Sequence, residues 1–323
     1  VYIAKEKKLV GLNASGRAPY AVTLDKLNEK LKKHEMRNIN GIYSVTVPGA
    51  VDGWFTLLEK YGTMTMAEVL EPAIYYAENG FPLTELIGHY FNLSVNRFMA
   101  SELPNIRDTY VIDGKIPKEG EIFKNTYLAN TYRIIAKGGR EAFYKGEIAE
   151  TIAGFIKGQG GFLSKEDLAS HKSEWVDPVS VNYRGYDVWE LPPNGQGIAA
   201  LQMLQILEGY DFSNIEFGST EHLHLFTEAK KLAFEDRAKY YADMHFANVP
   251  VDELISDEYA NKRRELITER ASKYDAGEIS AGETIYLTTA DKEGNMVSFI
   301  QSNYRGMGSG MVPPKLGFML QNR

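Results

Sequence analysis

The segment YDAGEISAGE ends at Glu283, and Thr284 then opens an alternating stretch that runs through Ile285, Tyr286, Leu287, Thr288, Thr289 and Ala290 to Asp291. A linker of small residues leading into a strand that begins with a hydroxyl is the layout required for cleavage of a chain in front of its own nucleophile. After such a cut the Thr284 hydroxyl can attack an acyl carbon, and the freed α-amine, with an ordinary pKa near ~8, is close enough to working pH to serve as its base. Many strands begin with threonine, so the pattern alone does not establish that chemistry.

Other nucleophiles and electrophiles compete less well. The sequence has no cysteine, which removes thiolate catalysis, disulfides and Cys-based metal sites. Its six histidines are scattered, and the one close pair, His222 and His224, is spaced so that the two rings point in different directions on a helix. Neither HExxH nor a GxSxG elbow is present. Two glycine-rich stretches, Asn194–Gly197 and Gly306–Gly310, could turn backbone N–H groups toward an anion, but neither matches a phosphate-binding fingerprint. Acidic pairs such as Asp252-Glu253 and Asp257-Glu258 read as solvated helix charge. A net charge of −7 argues against broad nucleic-acid binding, and the apolar runs are too short and too broken by charge to span a membrane.

The elements that would position these groups follow from periodicity and punctuation. VYIA and LVGLN around KEKK predict a hairpin; ASGRAPY breaks regular structure; Leu24, Leu27 and Leu31 predict a helix from about 23 to 34. YSVTVPG reads as a strand, and AVDGWFTLLEKY as a helix stopped by Gly62. Thr65 with Glu68, and Ser164 with Asp167, form capping boxes. Residues 84–136 read as mostly helical with a loop near 104–121, Gly138-Gly139 as a break, and 147–157 as a helix. DPVSVNYRGYDVWELPP predicts two strands around Arg184-Gly185. Helices are expected over the stretch after Gly197, from Ser219 to about Met244, and over 258–268. The end of the chain reads as a meander: TIYLTTAD, a KEGN turn, MVSFIQSNY, the RGMGSGMVPPK loop and a third strand, LGFMLQN.

Several long stretches carry a specific resemblance. They are TVPGAVDGWFTLLEKYGTM, LEPAIYYAENGFPL, GGREAFYKGEIAETI, GGFLSKEDLASHKSEWVDPVSVNYRGYDVWELPP and TTADKEGNMVSFIQSNYRGMGSGMV, in that order. Through them the sequence resembles the γ-glutamyltranspeptidase family, also called γ-glutamyltransferase or glutathione hydrolase. The resemblance implies an α+β N-terminal-nucleophile (Ntn) hydrolase fold, an αββα sandwich of two stacked, mostly antiparallel sheets between helical layers. It implies one such domain made of a large-subunit region, 1–283, and the start of a small subunit, 284–323, after self-cleavage between Glu283 and Thr284. Family members carry further residues on both sides, and the opening at Val1 is expected to lack the true beginning, so a longer protein is expected. The implied reaction opens a γ-glutamyl amide such as glutathione through a Thr284 acyl ester. It uses no metal or organic cofactor. Its partners are a small-molecule amide and the protein's own second subunit, with no nucleic acid and no membrane. A homo-oligomer and the cellular compartment stay open.

Residue by residue the likeness is uneven. Thr284 matches the nucleophile by its distance from the Asp291–Asn295 turn. Ser302 stands where the family has a threonine that orients the nucleophile, and it keeps the hydroxyl. Tyr304 stands where the typical transpeptidase has an asparagine that touches the glutamyl α-carboxylate. An arginine binds that carboxylate in an RExAP motif, whereas this chain reads Ser15-Gly16-Arg17-Ala18-Pro19, displacing the arginine by two positions. Asn322 matches an asparagine just before the family's amine-binding aspartate, but Arg323 departs from the pattern. These departures touch recognition of the acyl group and point toward the family's cephalosporin-acylase-like branch. An uncleaved, non-catalytic relative that only binds is a further alternative.

Overall fold

The computed structural model describes residues 1–33, 41–273, 283–304 and 306–322, with backbone alone at 283 and 284. Most of the predicted YDAGEISAGE linker lies outside the described residues. The chain opens with β1 (Tyr2–Ile3), β2 (Lys8–Leu9), β3 (Gly11–Asn13) and α1 (Leu24–Lys33). Then come α2 (Ala50–Tyr61), α3 (Met66–Asn79), β4 (Phe81–Pro82), α4 (Glu85–Ala100), α5 (Ile106–Tyr110), β5 (Ile122–Phe123) and α6 (Thr126–Tyr144). They are followed by α7 (Glu147–Gly158), α8 (Lys165–Ser170), β6 (Glu174–Val176), β7 (Val179–Tyr183) and β8 (Tyr186–Glu190). The remainder is α9 (Gly197–Glu208), α10 (Thr220–Tyr240), α11 (Val251–Leu254), α12 (Asp257–Arg264), β9 (Glu283–Ala290) and β10 (Met296–Tyr304). The architecture is α+β, with small antiparallel sheets among helices.

These elements form two compact units, neither continuous in sequence. The first comprises Val1–Asn13, Trp175–Ser280 and Ala290–Val297. Here β1 pairs antiparallel with β2 and meets the start of β10 at Tyr2 opposite Met296. Strands β7 and β8 pair in register from Val179–Glu190 to Tyr183–Tyr186. Their two-residue turn needs positive φ twice, and Arg184 and Gly185 supply it at 55° and 85°. Ile198 and Leu201 of α9 pack with Val181, Val251 and Leu254, while Ile206 and Leu207 on the same helix pack with Leu225, Ala229 and Leu232 of α10. Helix α9 is therefore buried on more than one side, as its near-continuous apolar sequence allows.

The second unit comprises Ala14–Glu174, Ala281–Thr289 and Ser298–Arg323. Its main core joins Val45, Val47 and Val51 to Ile135, Tyr144, Ile148, Ile152 and Leu168, and reaches Met311 and Leu320. Both predicted capping boxes form. Thr65 accepts from the Glu68 N–H and the Glu68 carboxylate accepts from the Thr65 N–H; Ser164 and Asp167 repeat the exchange. Gly139, at φ 69° and ψ −167°, interrupts α6 at the predicted break. In this unit β10 carries β9 on its other side.

Some expectations need correction. YSVTVPG is not a strand: Gly41–Ser44 forms a 3-10 turn, and Val45 and Val47 are buried without a sheet partner. The alternation is real, but it serves core packing, and the Val47 N–H goes to the carbonyl of Arg17. LGFMLQN is likewise not a strand. It holds the glycine loop through isolated bonds, Leu320 N–H to the Met311 carbonyl and Ser309 N–H to the Leu320 carbonyl. Helices α10 and α12 end at Tyr240 and Arg264, earlier than expected.

Candidate active site

The second unit draws four separate segments together by hydrogen bonds. The Ala14–Arg17 loop is seated on the Thr46–Gly49 stretch: Val47 donates to the Arg17 carbonyl at 3.1 Å. Gly16 is required there, because a Cβ would lie 1.7 Å from the Val47 carbonyl oxygen. Gly49 is similarly confined, with the Ala14 carbonyl oxygen 1.9 Å from where a Cβ would stand. Thr46 in turn receives the amide of Gln321. Next to it, the Asn322 N–H donates to the Asn303 carbonyl at 3.2 Å, at the end of β10. From α2, the Trp54 indole donates to the Gln301 side chain at 3.2 Å. Arg17, Ser302, Tyr304 and Asn322 thus belong to one connected neighbourhood.

The end of β10 is shaped locally. Tyr304 lies at φ 75°, a left-handed conformation that is costly for a non-glycine residue. Its N–H turns back to the Ser302 hydroxyl oxygen at 2.8 Å. On the other side of the hairpin the Asp291 N–H donates to the Asn295 carbonyl at 3.1 Å, and the Asp291 carboxylate accepts from the Asn295 backbone and side chain. Strand β9 pairs with β10, so its start at backbone position 284 lies toward the end of β10 that carries Ser302 and Tyr304. The glycine loop that follows is a clamp: Ser309 Oγ donates to the Leu320 carbonyl at 2.7 Å, and Gly308 is packed against the same oxygen. It fixes the 320–322 segment beside β10.

Beneath the Arg17 loop lies a buried charged cluster that spacing did not reveal. Asp52, 3% exposed in the first turn of α2, receives the Arg140 guanidinium on one oxygen and the Ser173 N–H at 2.5 Å on the other. Burial alone would raise its pKa, but the hydrogen bonds from Ser173 and Arg140 outweigh it and hold the carboxyl below its ordinary value. Tyr144 donates to the Pro48 carbonyl at 2.8 Å, accepts the Asp52 N–H at 3.0 Å, and stacks on His171. Burial lowers the His171 pKa, and the attraction of Asp52 only partly opposes it, so the imidazole is neutral near pH 7. The one hint in the sequence was an acidic residue in a helix's first turn, which ordinarily means no more than a favourable dipole contact.

Immediately after Ser173, the Glu174 carboxylate pairs with the Arg17 guanidinium at 3.2 Å, both side chains about half exposed. Among the described residues, neither glycine stretch nor the histidine pair builds a second centre. Asn194–Gly197 serves as the turn into α9, with the Glu190 side chain packed against Gly197. His222 stacks on Phe226, and His224 meets the Thr268 carbonyl at 2.7 Å. Asn92, within a glycosylation-type triplet, donates its amide to the Gly88 and Pro117 carbonyls.

A sequence profile described as gamma-glutamyltranspeptidase matches residues 1–323. The chain is 38% identical over 311 residues to the "Glutathione hydrolase-like YwrD proenzyme" of Bacillus subtilis (strain 168), covering 96% of this chain and 58% of that protein. It is 35% identical over 308 residues to the "Acylase ACY 1 proenzyme" of Pseudomonas sp. (strain SE83), covering 94% of this chain and 55% of that one. Among solved structures, a cephalosporin acylase from Bacillus halodurans superposes with a TM-score of 0.87 at 42% identity, over 98% of this chain and 58% of the other. The γ-glutamyltranspeptidase of Helicobacter pylori superposes with a TM-score of 0.77 at 31% identity, over 84% and 78%. The chain therefore spans a little over half the length of the curated relatives it matches.

Proposed function

The chain belongs to the γ-glutamyltranspeptidase family of Ntn hydrolases, and from that premise we propose that it forms part of a self-processing threonine amidohydrolase. The observation that carries this reading is the convergence in one unit of the Arg17 loop, the end of β10 and the 320–322 segment, with β9 paired beside β10.

In the proposed mechanism the precursor is cut between Glu283 and Thr284. The Thr284 hydroxyl then attacks the amide carbonyl and gives up its proton to the new α-amine, forming a tetrahedral oxyanion. Collapse of that species breaks the C–N bond, and the leaving amine takes the proton back. Water, or an acceptor amine, attacks the resulting ester and regenerates Thr284. Ser302 orients the nucleophile, while Arg17, Tyr304 and Asn322 contact the acyl group. The substrate class follows from those last three. A γ-glutamyl amide is the primary reading, since an arginine is still present for its α-carboxylate. An acylase-type amide is the second, favoured by the Glu174 contact that Arg17 already makes.

Intact-mass measurement and N-terminal sequencing of the full-length protein test this directly. Two polypeptides are expected, one starting at Thr284, and the Thr284→Ala variant is expected to stay uncut. A wild-type chain that remains whole on long incubation overturns the catalytic reading in favour of a binding protein.

A further inference from the structure

His171 stands where the buried charged cluster meets the Ala14–Arg17 loop. Its side chain is 4% exposed, and its Nε2 is buried with no hydrogen bond of normal geometry. A buried polar atom left this way costs stability, so its position calls for an explanation. A Cβ at Gly49 would lie 1.9 Å from the Ala14 carbonyl oxygen and 2.9 Å from His171 Nε2, so the first carbonyl of the loop and the imidazole close on one spot. One turn further along α2, a Cβ at Gly53 would lie 2.7 Å from the Ala14 methyl carbon. The loop thus rests on the first turn of α2, and the imidazole edge forms part of its seat. The ring is placed by stacking on Tyr144 and its backbone by Arg140, which donates to the His171 carbonyl.

We propose that His171 is a positioning residue that seats the Ala14–Arg17 loop while its imidazole is neutral and releases the loop when the ring takes up a proton. This rests on the reading that the loop faces the acyl group. Nε2 stands 4.0 Å from Asp52 Oδ2, too far for a hydrogen bond. An imidazolium gains by closing that gap to a charge-assisted bond, which moves the ring edge by about 1 Å. In a close-packed interior such a shift displaces the ring from its place against Gly49 and the Ala14 carbonyl. The new bond also competes with the Ser173 N–H for the same oxygen. The charged and titratable groups facing the ring are Asp52 of α2, Arg140 and Tyr144 of α6, and Arg17 of the loop. Burial is the largest influence and opposes the charge, as do Arg140 and Arg17; Asp52 and the Gly49 backbone favour it, and the balance puts proton uptake below the ordinary value of 6.5.

The test uses the self-processed full-length enzyme and two readouts between about pH 7.5 and about pH 5. The first is hydrogen-exchange protection of the Val47 N–H, which the Arg17 carbonyl accepts, with the Gly80 N–H, bonded to the Tyr76 carbonyl in the same unit, as control. After correction for intrinsic exchange, Val47 protection should fall about three- to tenfold in acid while Gly80 stays constant. The second is KM for γ-glutamyl-p-nitroanilide or glutaryl-p-nitroanilide, whichever is turned over, which should rise about three- to tenfold over the same range. Both acid effects should vanish in His171→Phe, which keeps a ring on Tyr144 but takes no proton, and in His171→Gln, which keeps a neutral polar end. A merely structural role would lower protection in the variants at every pH without removing the acid step. Constant Val47 protection in the wild type, or an acid step that persists in the variants, overturns the inference and leaves the reading of the loop intact. Protection that falls without any rise in KM, or an enzyme that turns over neither anilide, means that the loop does not face the acyl group, and the underlying reading falls with the inference.

Discussion

Each of the two units buries carboxylates among helices, and one from each, Asp52 and Asp236, are treated in opposite ways. Asp52 in the second unit is held below its ordinary pKa, because a backbone N–H and a guanidinium outweigh the effect of burial. Asp236 in the first unit is 4% exposed and receives Tyr259 Oη at 2.8 Å, Gln202 Nε2 at 2.9 Å and Arg263 at 3.1 Å. There burial wins: its pKa is raised despite Tyr259, Arg263 and Gln202. The difference lies in what is anchored. Asp52 fastens an irregular backbone, the Ser173 turn, to a helix start, and its contacts require an anion. Asp236 joins the side chains of α9, α10 and α12, and two of its three donors are neutral groups that would also accept a protonated partner's company.

The largest effect should come from cutting the anionic anchor. Asp52→Ala leaves the Arg140 guanidinium and the Ser173 N–H without their acceptor. Breaking a fully buried pair costs about 3–5 kcal/mol, and with Arg140 still 23% exposed we expect the lower part of that range. Asp236→Ala strands Tyr259 and Gln202 but also removes a carboxylate that burial already disfavours, so about 1–3 kcal/mol is expected. Denaturant midpoints of the two variants at pH 7, taken on the full-length protein, check the order. If Asp236→Ala is the more damaging, the contrast between the two clusters is wrong.

The pH dependence sharpens the same contrast, because the signs differ. The folded pKa of Asp52 lies below its ordinary value of 3.8, so its stabilising contribution is complete above that pH and is lost as pH falls through the folded pKa. The folded pKa of Asp236 lies above 3.8, so its contribution is complete below that value and is lost as pH rises through the folded pKa. Asp52→Asn should therefore look most destabilising near neutral pH and converge on wild type in acid. Asp236→Asn should look most destabilising in acid and less so as pH rises. Stability measured over a pH series reads both slopes, and parallel curves would sink the assignment.

How much of this was legible beforehand depended on range. Local rules gave the capping boxes at Thr65 and Ser164, the Arg184-Gly185 turn, and the β9–β10 hairpin closed by Asp291 and Asn295, since each depends on residues a few positions apart. YSVTVPG misled because period-two alternation records which side chains are buried, and Val45 and Val47 are buried without a ladder. The candidate site was marked only through resemblance, which singled out Arg17, Ser302, Tyr304 and Asn322. Their mutual placement rests on contacts such as Val47 with Arg17 and Asn322 with Asn303 that no spacing rule encodes. Asp52, Arg140 and His171 were invisible for the same reason: 88 positions separate Asp52 from Arg140. Glu174 drew no expectation from the sequence, because its contact with Arg17 joins residues 157 positions apart.

The smallest expected effect concerns helix starts, and it extends the comparison from buried charge clusters to helix caps. Ser164 caps α8 in a reciprocal box, and Asp167, the other half of that box, also accepts the Tyr20 N–H at 2.7 Å and is 3% exposed. Ser219 caps α10 with one bond, from the His222 N–H at 3.2 Å. The two serines do the same job with different connections, because Asp167 ties α8 to the segment that follows the Arg17 loop. Ser164→Ala should therefore cost about 1–2 kcal/mol, and Ser219→Ala about 0.5–1 kcal/mol. The distinguishing readout is hydrogen exchange at Tyr20, which should quicken in Ser164→Ala and stay unchanged in Ser219→Ala. Equal exchange in both would mean that the Asp167 contact with Tyr20 survives without its serine, leaving α8 and the Arg17 loop less coupled than the shared carboxylate implies.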